Sequence, residues 1–352
     1  MMRDVSTRDM SVELFGRRLP APVLTAPVGV LEMAHAGADV AVARATAALG
    51  LPMVFSSQAS RSMEQCAAVM GDGPRWFQLY WSSSDDVVAS FLARAEATGC
   101  EAVVVTLDTH VLGWRPRDLD LGYLPFAHGL GIAQYTSDPA FTALVEERVV
   151  AATPDTDKPR PTPSAIRTLI DLTRAYPGRF RDNVRSPLPR AAVETFLDVF
   201  SRSNLTWEDL PRLRAMTSLP ILVKGVLSAD DAGRALDAGA DGIVVSNHGG
   251  RQVDSAVASL DALPGVVDRV DGAVPVLMDS GIRSGADVFA ALALGARAVL
   301  VGRPYVYGLA LAGADGVRAV LEHLIAELDL TMALTGVTSV AEITADLLLP
   351  AP

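Results

Sequence analysis

Eight short runs of apolar, often β-branched residues recur along this chain, and most are followed by an alanine-rich amphipathic stretch. The runs fall at residues 23–26, 53–56, 76–79, 102–107, 221–224, 242–246, 276–279 and 298–301. Helical patterns lie between and after them at 39–48, 84–97, 229–238, 285–294 and 316–328. A half-solvated strand alternates apolar and polar residues, whereas a continuous apolar run has to be covered on both faces. Strands of that kind separated by helices pair in parallel through right-handed crossovers. Eight such units predict an α/β chain folded as a closed (β/α)8 TIM barrel, a single domain over residues 1–352, rather than an open doubly wound sheet.

The joints between helix and strand agree with this. Ala97-Thr-Gly-Cys100, Ala238-Gly-Ala-Asp241 and Leu294-Gly-Ala-Arg297 each place a glycine just past a helix end, where a left-handed cap suits a residue without Cβ. One stretch breaks the rhythm. Residues 113–210, after the fourth strand, show no clean alternation, and 151–190 is dense in proline and arginine. A long insertion on the strand-end side of a barrel predicts a lid over the mouth. With 50% hydrophobic and 20% charged residues the chain buries a sizeable core and is not disordered. Its net charge of −11 argues against a nucleic-acid groove or an anionic membrane surface, yet leaves room for a locally basic pocket. Two cysteines make no disulfide scaffold and fit a reducing compartment. No apolar run approaches the roughly 20 residues that span a bilayer, and the charged residues 1–14 do not read as a signal peptide, so a cytoplasmic protein is expected.

Chemistry-bearing residues gather where the strands end. Ser246-Asn-His-Gly-Gly-Arg251 follows the sixth strand directly: a histidine, two glycines that admit a ligand close to the backbone, and an arginine able to fork onto a carboxylate. Asp279-Ser-Gly-Ile-Arg283 follows the seventh and Val301-Gly-Arg303 the eighth, the place where barrels bind phosphate. Gln78 and Tyr80 end the third strand, and Thr106 and Asp108 the fourth; each pair is two residues apart and so on one face. Arg115 offers a second cation beyond Asp108. Lys224 ends the fifth strand, where burial without an anionic partner would be costly. His35, His128 and His323 have no metal-ligand spacing, so no metal site is expected.

Together these elements resemble the FMN-dependent α-hydroxy-acid oxidase and dehydrogenase family. The carrying residues are Thr25-Ala-Pro-Val-Gly29, Met33-Ala-His35, Phe77-Gln-Leu-Tyr80, Thr106-Leu-Asp108, Lys224-Gly225, the Ser246–Arg251 and Asp279–Arg283 phrases, and Gly302-Arg-Pro304. Within the family, Gly113-Trp-Arg-Pro-Arg-Asp-Leu119, Tyr135-Thr-Ser-Asp-Pro139, Leu205-Thr-Trp-Glu-Asp-Leu210, Arg303-Pro-Tyr305 and Gly29 resemble the lactate 2-monooxygenase branch. The resemblance implies FMN as cofactor. Pro27, Val28, Gly29, Ser56, Gln78 and Thr106 would line its ring, with Lys224 at the pyrimidine end and Ser246 in contact. Asp279, Ser280, Gly281, Ile282, Arg283, Gly302 and Arg303 would hold ribityl and phosphate. Arg115 and Arg251 would clamp the substrate carboxylate, Tyr80 would hydrogen-bond the substrate, and His248, oriented by Asp108, would be the base.

The implied partners are a small L-2-hydroxy acid and O2, in a homo-oligomer that the resemblance makes a tetramer. The implied reaction is that of lactate 2-monooxygenase, L-lactate and O2 giving acetate, CO2 and water. A peroxide-releasing oxidase of lactate, glycolate or an aryl 2-hydroxy acid is the alternative. Relatives carry a further N-terminal region with a substrate-binding tyrosine ahead of the segment that opens at Met1. Tyr135 is the candidate to supply a tyrosine in its place, and a catalytically impaired flavin-binding protein is the reading if nothing does. A non-flavin phosphate-binding barrel, with Lys224 as a Schiff-base lysine, is the remaining alternative.

Overall fold

The computed structural model describes residues 3–152 and 162–348. Eight parallel strands close a barrel: β1 (Val23–Thr25), β2 (Met53–Phe55), β3 (Arg75–Leu79), β4 (Val103–Thr106), β5 (Ile221–Val226), β6 (Gly242–Val245), β7 (Val276–Asp279) and β8 (Ala298–Val301). Strand β8 pairs with β1, with Val299 opposite Val23 and Val301 opposite Thr25, which completes the ring. Every strand lies within two residues of its expected bounds.

The reason is visible in the packing. Alternate residues of each strand enter two different apolar environments. Leu24, Val54, Trp76, Val104, Leu222, Val244, Leu277 and Leu300 point into the barrel and form one buried cluster. Val23, Phe55, Phe77, Val103, Val223, Ile243, Met278 and Val299 point outward against the helices and form another. Both faces are dry, so the runs are apolar throughout. A hairpin of Val12–Leu14 and Arg17–Leu19 plugs the lower end, with Val12, Leu14 and Leu19 joining the inner cluster and Phe15 set edge-on to Trp76 at 5.6 Å.

Two residues further along each strand the inward positions change character. They become Ala26, Ser56, Gln78, Thr106, Lys224, Ser246, Asp279 and Gly302, a mostly polar layer at the upper mouth. That step from hydrocarbon to polar groups sets the floor of the site.

The joints behave as their glycines require. Gly99, Gly239 and Gly295 have φ of 72°, 85° and 98°. Serine side chains cap the helices that follow the strand-end loops, with a full capping box at Ser62 and Gln65 and another at Ser284 and Asp287. The helix expected at 316–328 belongs to the longer Arg303–Thr335, which kinks at Ala312 and Gly313.

The segment between β4 and β5 folds as helices rather than as one loop. Pro139–Ala151, Pro163–Ala175 and Leu188–Val199 pack on one another, and the first lies against Asp85–Ala97 of the barrel's outer ring. Residues 153–161, part of the proline- and arginine-rich stretch, lie outside the described residues. Of the 113–210 segment expected as a lid, Gly113 to Phe126 reaches the mouth, and the later helices brace the flank.

Tyr135, expected to serve the substrate, sits in that flank instead. It is fully buried, with its ring edge-on to Phe91, Phe141 and Phe196 at 4.9–5.3 Å. Three phenyl rings outbid a polar mouth for an aromatic body of that size. Its hydroxyl has no hydrogen-bond partner and it does not line the cavity, so it is a packing residue. Among the described residues no helix is long and apolar enough to cross a membrane.

Candidate active site

A cavity of about 820 Å³ opens above the polar layer. One half of it is built from the ends of β1, β3, β5, β7 and β8. Gln78 donates to Thr106 Oγ1 at 3.2 Å, while its carbonyl oxygen accepts from the Ser57 amide at 2.9 Å. Lys224, only 3% exposed, donates to Ser246 Oγ at 2.7 Å and pairs with Asp279 at 2.9 Å. Burial opposes the ammonium charge, but Asp279 and then Asp108 outweigh it and hold Lys224 above the ordinary lysine value.

Beyond Asp279 the backbone turns through the left-handed region, with φ of 73° at Ser280 and 88° at Gly281. Ser280 Oγ donates to Asp279 Oδ1 at 2.9 Å and accepts from the Gly249 amide at 2.8 Å, which joins the β7 end to the β6 end. A Cβ on Gly281 would meet nothing within 4 Å, and one on Gly302 only Ala26 Cβ at 3.9 Å, so both leave room for a ligand. Arg283 and Arg303 face that room, and Arg303 donates to the Gly249 carbonyl at 2.7 Å. Pro27, Val28 and Gly29 line the opposite wall, and Ile282 closes the turn from below.

This donor set fits FMN. A buried cation and two amide- and hydroxyl-bearing side chains stand where a polar ring edge would lie, and two guanidinium groups beside vacant glycines stand where a phosphate would lie. Ser56 and Ser246 do not line the cavity; they lie beneath it. Ser56 donates weakly to Gln78 at 3.4 Å and accepts from the Gln58 amide, while Ser246 accepts from Lys224 and from the His248 amide. Both are buried, and they support Gln78 and Lys224.

The other half is built from the loops after β4 and β6. His248, at φ 55°, turns Nδ1 onto Asp108 Oδ1 at 2.8 Å. Burial raises the Asp108 carboxyl, but the His248 bond, Lys224 and the Thr109 hydroxyl more than offset this and keep it below the usual range. An ionised Asp108 only accepts, so Nδ1 carries hydrogen and Nε2 is left as an acceptor toward the cavity. Room for Asp108 comes from a register shift in β5 between Lys224 and Val226. There Gly225 has φ 105°, and a Cβ on it would come within 2.9 Å of Asp108.

Tyr80 lines the cavity; burial and the Asp108 charge both raise its phenol, so it stays a donor. Arg115 and Arg251 face the same space. Arg115 donates to Gln252 Oε1 at 3.2 Å and its buried Nε has no partner, while the nearest carboxylate to Arg251 is Asp118 at 3.8 Å. Burial, and then Arg251, lower the Arg115 pKa. Two guanidinium groups that repel each other across an open cavity form a site for an anion.

Sequence reasoning passed over several neighbours. Ser57 fixes Gln78, Thr109 bonds Asp108 at 2.9 Å, and Gln252 holds Arg115. The apolar character of the wall formed by Leu112, Trp114, Leu119, Tyr123, Leu124 and Phe126 was not foreseen, although most of it lies in the segment expected as a lid. The first three adjoin singled-out residues, and that adjacency was the available signal. Cys66 and Cys100 are buried packing residues, and burial pushes the Cys100 thiol up to about 12.

A closed barrel with two arginines beside open glycines after β7 and β8, a buried lysine at its floor and a His–Asp pair facing two further arginines fits a flavin-dependent oxidoreductase of 2-hydroxy acids. The chain belongs to the FMN-dependent dehydrogenase family, whose profile matches residues 1–350. It is 41% identical over 346 residues to an FMN-dependent alpha-hydroxy acid dehydrogenase of Penicillium citrinum, spanning 98% of this chain and 78% of that one. It is 39% identical to an L-lactate oxidase of Lysinibacillus sphaericus, over 96% of this chain and 78% of that one. A solved mandelate oxidase with (S)-4-hydroxymandelic acid is similar at a TM-score of 0.76 and 38% identity, over 97% of this chain and 83% of that one. The protein is an FMN-dependent oxidoreductase acting on the CH–OH group of 2-hydroxy acids.

Proposed function

We propose that this chain oxidises an L-2-hydroxy acid to the 2-oxo acid and, with L-lactate, performs the lactate 2-monooxygenase reaction. The observation that carries the reading is the pair Arg115 and Arg251 facing the free Nε2 of His248 across one cavity. The two arginines fix a carboxylate, which brings the hydroxyl on the next carbon to a defined place and makes the step effectively unimolecular. His248 Nε2 takes the hydroxyl proton, and ionised Asp108 stabilises the imidazolium that results. Tyr80 donates to the substrate oxygen. The α-hydrogen, leaving with the electron pair as the C=O bond forms, would pass to FMN when it is bound.

The monooxygenase outcome rests on the Gly113–Leu119 phrase and on Gly29. A Cβ at Gly29 would press on Gln58 Cβ at 3.0 Å and on its carbonyl oxygen at 3.2 Å, so glycine lets this part of the wall pack directly against Gln58. Pyruvate and peroxide retained together give acetate, CO2 and water. The segment from Gly113 to Phe126, much of which lines the cavity, supports this reading as the part of the chain that would retain them.

The test supplies FMN and L-lactate without oxygen, follows flavin absorbance, then admits air and assays acetate and peroxide. Bleaching followed by acetate supports the full reading. Bleaching followed by peroxide and pyruvate overturns the monooxygenase half, and no bleaching with any L-2-hydroxy acid overturns the whole.

The apolar wall favours a second reading, an aryl 2-hydroxy acid as preferred substrate, because Trp114 and Tyr123 give an aromatic substituent surfaces to lie against. Competition between L-lactate and (S)-mandelate decides between them. Assembly as a homo-oligomer rests on the resemblance, and sedimentation tests it.

A further inference from the structure

We propose that Gln252 is a positioning residue that sets the spacing of the two arginines, by latching the loop that carries Arg115 onto the turn that carries Arg251. The inference rests on reading those arginines as the carboxylate clamp.

The primary amide of Gln252 spans three partners. Nε2 donates to the Asp108 carbonyl at 2.8 Å and to the Val111 carbonyl at 3.1 Å, and Oε1 accepts from Arg115 Nη2 at 3.2 Å. That last bond is the one hydrogen bond the Arg115 guanidinium makes among the described residues. Gln252 therefore grips the β4 loop at its start, its middle and its functional end. Arg251 is its immediate neighbour, so a single turn after β6 presents one arginine and holds the other.

The two loops meet backbone to backbone. A Cβ on Gly113 would lie 2.8 Å from the Gln252 carbonyl oxygen and 2.9 Å from both the Arg251 carbonyl oxygen and Gln252 Cα. Contacts that short exclude any side chain at 113 and fix how near Arg115 comes to Arg251. Since burial and Arg251 both disfavour the Arg115 charge in place, the guanidinium would relax toward solvent without a neutral acceptor to hold it. A glutamine supplies that acceptor without neutralising the cation. A carboxylate in its position would pair with Arg115 and compete with the substrate.

The experiment measures calorimetric binding of oxalate, a compact carboxylate with no hydrogen to give up, to the FMN-loaded protein, together with KM and kcat. Gln252→Leu is expected to weaken oxalate binding and raise KM roughly ten-fold, from the loss of the charge-assisted bond to Arg115 and of the two bonds that hold its loop, with kcat within about two-fold. Combined with Arg115→Met, it should add less than about two-fold, because its effect travels through Arg115. Gly113→Ala should act in the same direction with the same non-additivity. Undiminished oxalate binding in both variants overturns the inference, as do losses that simply multiply with those of Arg115→Met. If Arg115→Met itself leaves oxalate binding unchanged, the clamp reading fails as well. A strong Arg115→Met effect with a silent Gln252→Leu removes only the role of Gln252.

Discussion

The two halves of the cavity differ in how completely the protein satisfies its own polar groups. On the cofactor side Gln78 is bonded through both ends of its amide, Ser280 bridges two strand ends, and Lys224 and Asp279 neutralise each other at 2.9 Å within a few per cent of full burial. On the substrate side Asp108 Oδ2 and Arg115 Nε have no partner, Arg251 is about half exposed, and Trp114 is 81% exposed. The floor of the first half has its polar groups paired before any ligand arrives, as a resident cofactor allows, and leaves the exposed Arg283 guanidinium without a bond among the described residues. The second is left short of partners that a transient carboxylate would supply.

The largest expected effect tests whether the division holds at its border. His248→Gln should keep FMN bound, since the ring side is untouched, and slow reduction by substrate by roughly 10²–10⁴-fold, the usual worth of a general base. Stopped-flow absorbance measures it. Retained reduction would remove His248 from the base role, and lost FMN would show that the two halves are not separate.

Lys224→Met probes the satisfied half. Removing the cation strands Asp279 in the barrel, which costs about 3–5 kcal/mol when a buried pair loses one partner. Thermal unfolding and FMN content should both fall, and adding Asp279→Asn should recover part of the stability. An unchanged melting temperature would mean that water reaches Asp279 and the floor is not dry.

Much of this contrast was legible in the residues. Inward positions such as Val104 and Leu277 are followed two residues later by Thr106 and Asp279, so the period of a strand exposes both the core and the site floor. His248, Arg251, Arg283 and Arg303 stood out because glycines surround or precede them at strand ends. What was not legible depends on contacts distant in sequence. Tyr135 adjoins no barrel strand, and only the approach of Phe91 and Phe196 decides that it is buried. Ser56 and Ser246 enter as cofactor contacts through the family resemblance; that they bond Gln78 and Lys224 depends on neighbours across the barrel. The exposed apolar wall carries no spacing of its own, since Leu112, Trp114 and Tyr123 share neither a strand nor a helix face.

Asp39 sharpens the rule from outside either half, as a buried carboxyl whose bonds come from backbone amides. It is 2% exposed and accepts from the Ser60 and Arg61 amides at 2.8 and 3.0 Å, and burial outweighs those bonds and pushes it up to about 7. A carboxyl raised above its unfolded value of 3.8 contributes stability that is whole at low pH and is lost as pH rises to about 7. The loss runs at roughly 1.4 kcal/mol per pH unit across that window. Asp39→Asn has no such titration, so its melting temperature should gain on the unaltered protein between pH 5 and pH 8. Parallel profiles would show that the two amides hold Asp39 ionised throughout.

The smallest effect concerns the unsatisfied half alone. Trp114 touches so little protein that Trp114→Ala should change stability by no more than about 0.5 kcal/mol. Its indole nevertheless forms part of the cavity wall. An aromatic substituent lying against it gains roughly 0.5–1.5 kcal/mol beyond simple area, which a methyl group cannot collect. The substitution should therefore lower kcat/KM for (S)-mandelate several-fold and leave that for L-lactate nearly unchanged. Equal losses on both acids would make Trp114 a loop anchor rather than a substrate surface. A gain on lactate alone would mean that the indole obstructs the mouth, and the wall would then exclude large substituents rather than select them.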